Sequence, residues 1–126
     1  MPASGFFEWQ KLPHEKLPLF IHLTDQPLFA FAGLYEVWKG RDGTELRTYT
    51  IITTEPNDLM APIHNRMPVI LPRQLEEQWL QPGTDIDQLK AMLVPFPPEQ
   101  MEAYPVSKLV NNPSNNSPEI IEPLPL

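Results

Sequence analysis

The chain has 126 residues, 41% hydrophobic and 20% charged, a size and balance suited to one globular domain with a modest core. No apolar run is long enough to span a bilayer and no basic-then-apolar leader opens the chain; cysteine is absent, which excludes disulfides, thiolate metal sites and cysteine nucleophiles within these residues and fits a cytoplasmic protein. The net charge of -7 argues against nonspecific nucleic-acid binding over the whole surface, although a local patch can oppose the sum.

The 17 prolines punctuate the chain and predict short elements. Residues 3–10 alternate loosely and predict an entering strand. Leu17–Leu23 predicts a second strand after a proline turn. Leu28–Trp38 predicts a long strand in which Gly33 marks a bulge or a close backbone approach. The Asp-Gly pair that follows is a hairpin signal, and Leu46–Thr54 is predicted to return antiparallel. Residues 55–65 read as a loop with a short helical turn, and Met67–Leu71 as a brief strand.

Pro72–Gln81 predicts a helix with proline in its first turn and an apolar face of Leu71, Leu75 and Trp79. A second helix is predicted within residues 82–95, capped by Thr84 with Asp87 three residues on, turning Leu89, Met92 and Leu93 to the core. Tyr104–Ser107 predicts one more strand. Residues 111–126 form an extended proline-rich tail, held through Ile120, Ile121 and Leu124. The fold class is α+β: a mostly antiparallel, barrel-like sheet with a few short helices, in a single domain of residues 1–126.

The residues with chemical potential lie in two stretches. His64, Asn65 and Arg66 stand in a row within "MAPIHNRMPVIL". A lone histidine there suits a structural role as well as a functional one. Arg66 suits a phosphate contact, or an ion pair with one of the 16 acidic residues. Glu8 stands between Phe7 and Trp9; turned into a pocket it is a candidate for proton transfer, and on an edge strand it is a solvated carboxylate. Trp9 is suited to stacking on a base or to core packing. Trp79 belongs to the core, His22 is structural and His14 lies on a loop. The three histidines show no metal-ligand spacing, and no glycine-rich phosphate loop or nucleophile elbow is present.

Taken in order, "PASGFFEW", "FAGLYEVW", "TYTIITTEPN", "IHNRMPVIL" and "PVSKLVNNPSNNSPEIIEPL" resemble the SRAP family (SOS response-associated peptidase) over essentially the whole chain. The resemblance implies an α+β domain with a β-barrel-like core. It also implies a DNA-damage response function: sensing abasic sites in single-stranded DNA and crosslinking to them covalently. In the family an N-terminal cysteine attacks the ring-opened sugar aldehyde. Its amine forms an imine and its thiol closes a thiazolidine; an autopeptidase activity is associated.

By matching motif, Glu8 of "GFFEW" corresponds to the family's catalytic glutamate, moving protons as the sugar opens and the imine forms. His64 of "IHNRMP" corresponds to the catalytic histidine, a general acid/base in crosslink formation or reversal. Arg66 corresponds to an arginine that holds phosphate, and Asn65, Thr54 and Trp9 to backbone or base contacts. No metal and no cofactor are implied; the expected partner is single-stranded DNA with abasic sites, engaged by a monomer in the cytoplasm, at the nucleoid where DNA is damaged. The family begins Met-Cys-Gly-Arg, with a long segment before the "PASGF" block, whereas here Met1 stands directly before Pro2. The expectation is therefore the C-terminal portion of a SRAP enzyme without its nucleophile. The alternative is a non-catalytic single-stranded DNA-binding or structural module.

Overall fold

Alternation places Leu19, Ile21 and Leu23 on one face of the strand Lys16–Leu23, and that face is buried. In the computed structural model, which describes residues 1–125, these side chains join Phe29, Phe31, Met60, Met67, Ile70, Phe96 and Met101 in the main core. The strands in chain order are β1 (Pro2–Ala3), β2 (Phe6–Lys11), β3 (Lys16–Leu23), β4 (Phe29–Phe31), β5 (Gly33–Lys39), β6 (Glu45–Ile51), β7 (Thr53–Thr54), β8 (Met67–Pro68), β9 (Ile70–Leu71) and β10 (Met101–Pro105). Two short helices, α1 (Glu76–Leu80) and α2 (Ile86–Ala91), follow β9. The class is α+β and every strand pairing among the described residues is antiparallel. The sheet is divided into β1-β4-β9, β10-β3-β2, β5-β6 and β7-β8, and no barrel closes among the described residues.

The expected strands 28–38, 46–54 and 67–71 exist, but each is interrupted at one residue. The interruptions fall at Ala32, Ile52 and Val69, and those three residues are bonded in a ring. Ala32 N–H donates to Val69 O (2.9 Å), Val69 N–H to Ile52 O (2.9 Å) and Ile52 N–H to Ala32 O (3.0 Å). Ala32 and Val69 are fully buried, so all three chains change partners at a packed junction. Beyond it β5 and β6 pair from Gly33↔Ile51 to Lys39↔Glu45. Gly33 makes the close approach expected of it: a Cβ there would lie 3.1 Å from Thr50 O, and Gly33 O accepts from Trp79 Nε1 at 3.2 Å.

The segment expected as one strand at residues 3–10 is likewise broken, at Ser4 and Gly5, where the chain passes from pairing with β4 to pairing with β3; a side chain at Gly5 would collide with the Phe20 ring. The predicted helix 72–81 opens as a 3-10 turn (Arg73–Leu75) before α1. Thr84 does not cap the second helix. Its hydroxyl donates backwards to Gln78 O (3.1 Å) and Gln81 O (2.9 Å), and the residue before α2 is Asp85. A second core of Ala32, Val69, Leu71 and Met92 lies under Leu75, Trp79, Leu89 and Leu93, as the helical spacing predicts.

After β10, Ser107 caps a 3-10 turn (Lys108–Asn111) by accepting from Leu109 N–H at 3.2 Å. The tail carries another such turn at Pro118–Ile121. It returns to the body through Tyr104 Oη, which donates to Ile121 O (2.6 Å), and through Leu124 N–H, which donates to Pro105 O (2.9 Å).

Candidate functional site

β2 is the outer strand of its sheet, paired only with β3 (Glu8↔Leu19, Gln10↔Leu17). Its alternation sends Glu8 and Gln10 to one face. Gln10 Nε2 donates to Pro62 O (3.0 Å) and so ties β2 to the loop that carries His64.

That loop is shaped by Asn57, 8% exposed. Its Nδ2 donates to Phe96 O (2.6 Å) and its Oδ1 accepts from Met60 N–H (3.0 Å). The predicted helical turn forms around it, with Ala61 N–H bonded to Asn57 O (2.8 Å), and Ile63 and His64 N–H bonded to Met60 O (2.8 Å each). A buried polar side chain with its partners in place specifies one loop conformation.

At the end of the loop, Arg66 N–H donates to His64 Nδ1 (3.1 Å). A backbone N–H can only donate. The same Nδ1 lies 3.2 Å from Arg66 O, a contact that calls for the opposite tautomer, so both hold the ring to the Arg66 backbone and neither fixes its proton. The Arg66 guanidinium lies on Thr53, with Nη2 donating to Thr53 O (2.9 Å) and Oγ1 (3.2 Å) and Nε to Oγ1 (3.3 Å). Arg66 has no carboxylate partner among the described residues, so the ion-pair alternative is not the one the fold adopts.

Glu8, Trp9, His64 and Asn65 line one open cleft of about 790 Å³, together with Lys11, Lys16, Ile63 and Asn111. Glu8 and Trp9 are half-buried, whereas His64 and Asn65 are exposed. Trp9 Nε1 donates to Asn111 Oδ1 (2.6 Å), joining β2 to the tail, and its ring lies beside Phe7 (centroids 6.5 Å apart) rather than in either core cluster. Arg66 and Thr54 do not line the cleft. Thr54 sits in β7 opposite Met67, next to the Thr53–Arg66 contact. His22 belongs to another face, stacked on Phe20 and 3.4 Å from Glu102. Among the described residues no group of three or more His, Asp or Glu side chains is placed to hold a metal ion.

Lys11 and Lys16 lie outside the matching blocks, and Thr53, Asn57 and Asn111 lie inside them without a role that the blocks alone assign. The two lysines were within reach of sequence reasoning, since a turn over residues 12–15 makes them cross-strand neighbours. Asn111 and Asn57 join the site only through contacts with Trp9 and Phe96, distant in sequence. Chemically, the cleft offers a carboxylate as proton acceptor, an imidazole that can give or take a proton, two ammonium groups and an aromatic ring.

The fold is one already described: residues 1–113 match the family model for the SOS response associated peptidase (SRAP), and the chain belongs to that family. It is 55% identical over 124 residues to the abasic site processing protein YoqW of Bacillus subtilis, covering 97% of this chain and 55% of that protein. It is 36% identical over 136 residues to the abasic site processing protein HMCES of Xenopus tropicalis, covering 93% of this chain and 40% of that protein. A crystal structure of a Bacteroides thetaiotaomicron protein superposes with a TM-score of 0.91 at 35% identity, covering 98% of this chain and 55% of the other. The chain spans about half the length of these relatives. No helix among the described residues is long and apolar enough to cross a membrane.

Proposed function

We propose that this chain carries the acid–base and strand-holding part of a SRAP site that senses abasic sites in single-stranded DNA during the DNA-damage response. What supports the reading is that Glu8, Trp9, His64 and Asn65, drawn from separated motifs, share one cleft, and that relatives up to 55% identical are named abasic site processing proteins. When an amine condenses with the sugar aldehyde, the nitrogen loses a proton and the carbinolamine hydroxyl leaves as water, so the step needs a base and an acid. Glu8 takes the proton and the His64 imidazole donates one to the departing oxygen. Arg66 holds a phosphate, which positions the sugar, and Asn65, Trp9 and Thr54 add backbone or base contacts.

In this reading the amine belongs to an N-terminal cysteine whose thiol adds to the imine carbon and closes a thiazolidine. These 126 residues contain no cysteine, so a stable ring needs a thiol from outside them. The peptidase (hydrolase) activity belongs to the same proposal, as do a monomeric state, a cytoplasmic location at the nucleoid, a single SRAP-like domain over residues 1–126 with a tail from 111, and a site without metal or cofactor.

For these 126 residues alone, which hold no cysteine, a second reading is a module that binds abasic single strands without covalent chemistry. Fluorescence anisotropy with single-stranded oligonucleotides, one abasic and one intact, tests what the two readings share. The abasic strand is expected to bind more tightly, His64→Ala to erase that preference, and Arg66→Ala to weaken both strands. Equal affinity for the two strands removes both readings. A denaturing gel of the abasic mixture, with and without borohydride, tests the second reading: an adduct in either lane overturns it, because it shows covalent chemistry within this chain, whereas the absence of one fits both readings.

A further inference from the structure

Two lysines share the cleft with Glu8 and His64. Lys11 ends β2 and Lys16 begins β3, and they are register partners beside the turn closed by Leu12 N–H on Glu15 O (2.8 Å). Directly opposed residues of an antiparallel pair have Cβ atoms about 4.5–5.5 Å apart, and like charges placed there repel. Lys39 and Arg47 approach Glu45, and Lys108 reaches Glu15 at 3.0 Å. Of the cations without an ion-pair partner among the described residues, Lys11 and Lys16 are the two that line this cleft. Lys11 and Lys16 have no ion-pair partner among the described residues, although acidic residues outnumber basic ones 16 to 9. Glu15, the acid next to Lys16 in sequence, is held by Lys108. An unanswered cationic pair lining a cleft of an acidic protein is suited to an anion brought from outside.

We propose that Lys11 and Lys16 form a phosphodiester-binding site, holding the backbone of a single strand whose damaged nucleotide lies at Glu8 and His64. The inference rests on the reading of this cleft as an abasic-DNA site and adds to it the path of the strand, from the β2–β3 hairpin towards the His64 loop. Lysine ammonium groups bind phosphate as point charges and read no base. The pair therefore supplies affinity and salt dependence for damaged and intact strands alike, whereas Glu8 and His64 supply the preference for the lesion.

The test titrates the 126-residue chain against abasic and intact single-stranded oligonucleotides over a range of salt concentrations. For single strands the slope of log K against log salt is about -0.7 per phosphate neutralised. K11Q/K16Q is expected to flatten the slope by about 1.4, two contacts at about 0.7 each, and to weaken both strands equally. R73Q/K90Q removes the same two charges from outside the cleft and is expected to leave the slope unchanged. Equal slopes for wild type and K11Q/K16Q overturn the lysine site, as does an equal flattening by R73Q/K90Q; either result leaves a wild-type preference for the abasic strand, and so the reading of the cleft, standing. A loss confined to the abasic strand also overturns it, because the lysines then act at the lesion. Failure of the wild type to bind either strand overturns the site and the reading together.

Discussion

Asn57 illustrates how much one side chain decides. It bonds Phe96 O and Met60 N–H from a buried position, and the turn it shapes ends at His64. Asn57→Ala leaves both groups without that partner and is expected to cost about 1–3 kcal/mol, read as a lower urea midpoint with unchanged slope. Thr53 acts on Arg66 in the same manner. Thr53→Val keeps the carbonyl bond at 2.9 Å and removes the two hydroxyl contacts. Losing about 0.5–1 kcal/mol of restraint should weaken single-strand binding about two- to fivefold, less than Arg66→Ala does. At this scale Glu8 and His64 were legible because each sits in a contiguous motif, "GFFEW" and "IHNRMP". Asn57, Thr53 and Asn111 were not, because what they bond lies far away in the chain.

Elements show where local pattern gives way to packing. The β-branched and aromatic residues from 28 to 54 made strands legible, but their breaks at Ala32, Ile52 and Val69 depend on a three-way backbone junction that no single segment encodes. Thr84 has the chemistry of a cap and bonds the preceding helix instead. The β5–β6 hairpin leaves Tyr35 79% and Tyr49 69% exposed, and its turn is held by Asp42, whose Oδ1 accepts from Thr44 Oγ1 (2.7 Å) and N–H (3.1 Å). Those bonds favour the ionised carboxyl and hold it below its ordinary value of 3.8. A depressed folded-state pKa gives a contribution that is present above the ordinary value and lost as pH falls through the depressed one. The protection of the Gly40–Thr44 amides against exchange, relative to their intrinsic rates, is therefore expected to fall below about pH 3.8 in the wild type. In Asp42→Ala the same amides should show low protection at every pH.

Across the whole molecule, the tail beyond β10 returns to the sheet that carries Glu8. Tyr104 Oη donates to Ile121 O, and burial raises the phenol above its ordinary value of 10.0. With a raised folded-state pKa, the contribution is full below the ordinary value and is lost as pH rises through the raised one. Proteolysis within residues 112–125 is expected to speed up above about pH 10, and in Tyr104→Phe to be fast already at neutral pH and flat across that range. Because Asn111 lines the cleft and bonds Trp9, loosening the tail should also reduce strand affinity, which the anisotropy assay reads directly.

By itself the sequence determined the α+β class, the order of strands and short helices, the family, and the two motif residues at the heart of the candidate site. Each of these follows from neighbours along the chain: alternation of apolar side chains, proline and glycine punctuation, and contiguous blocks of residues. Tertiary structure alone decided that the strands break at one shared junction, that Arg66 rests on Thr53, and that Lys11, Lys16 and Asn111 join Glu8 and His64 in a single cleft. Those features are contacts between segments remote in sequence, settled by which backbone groups and charges find partners once the core has closed.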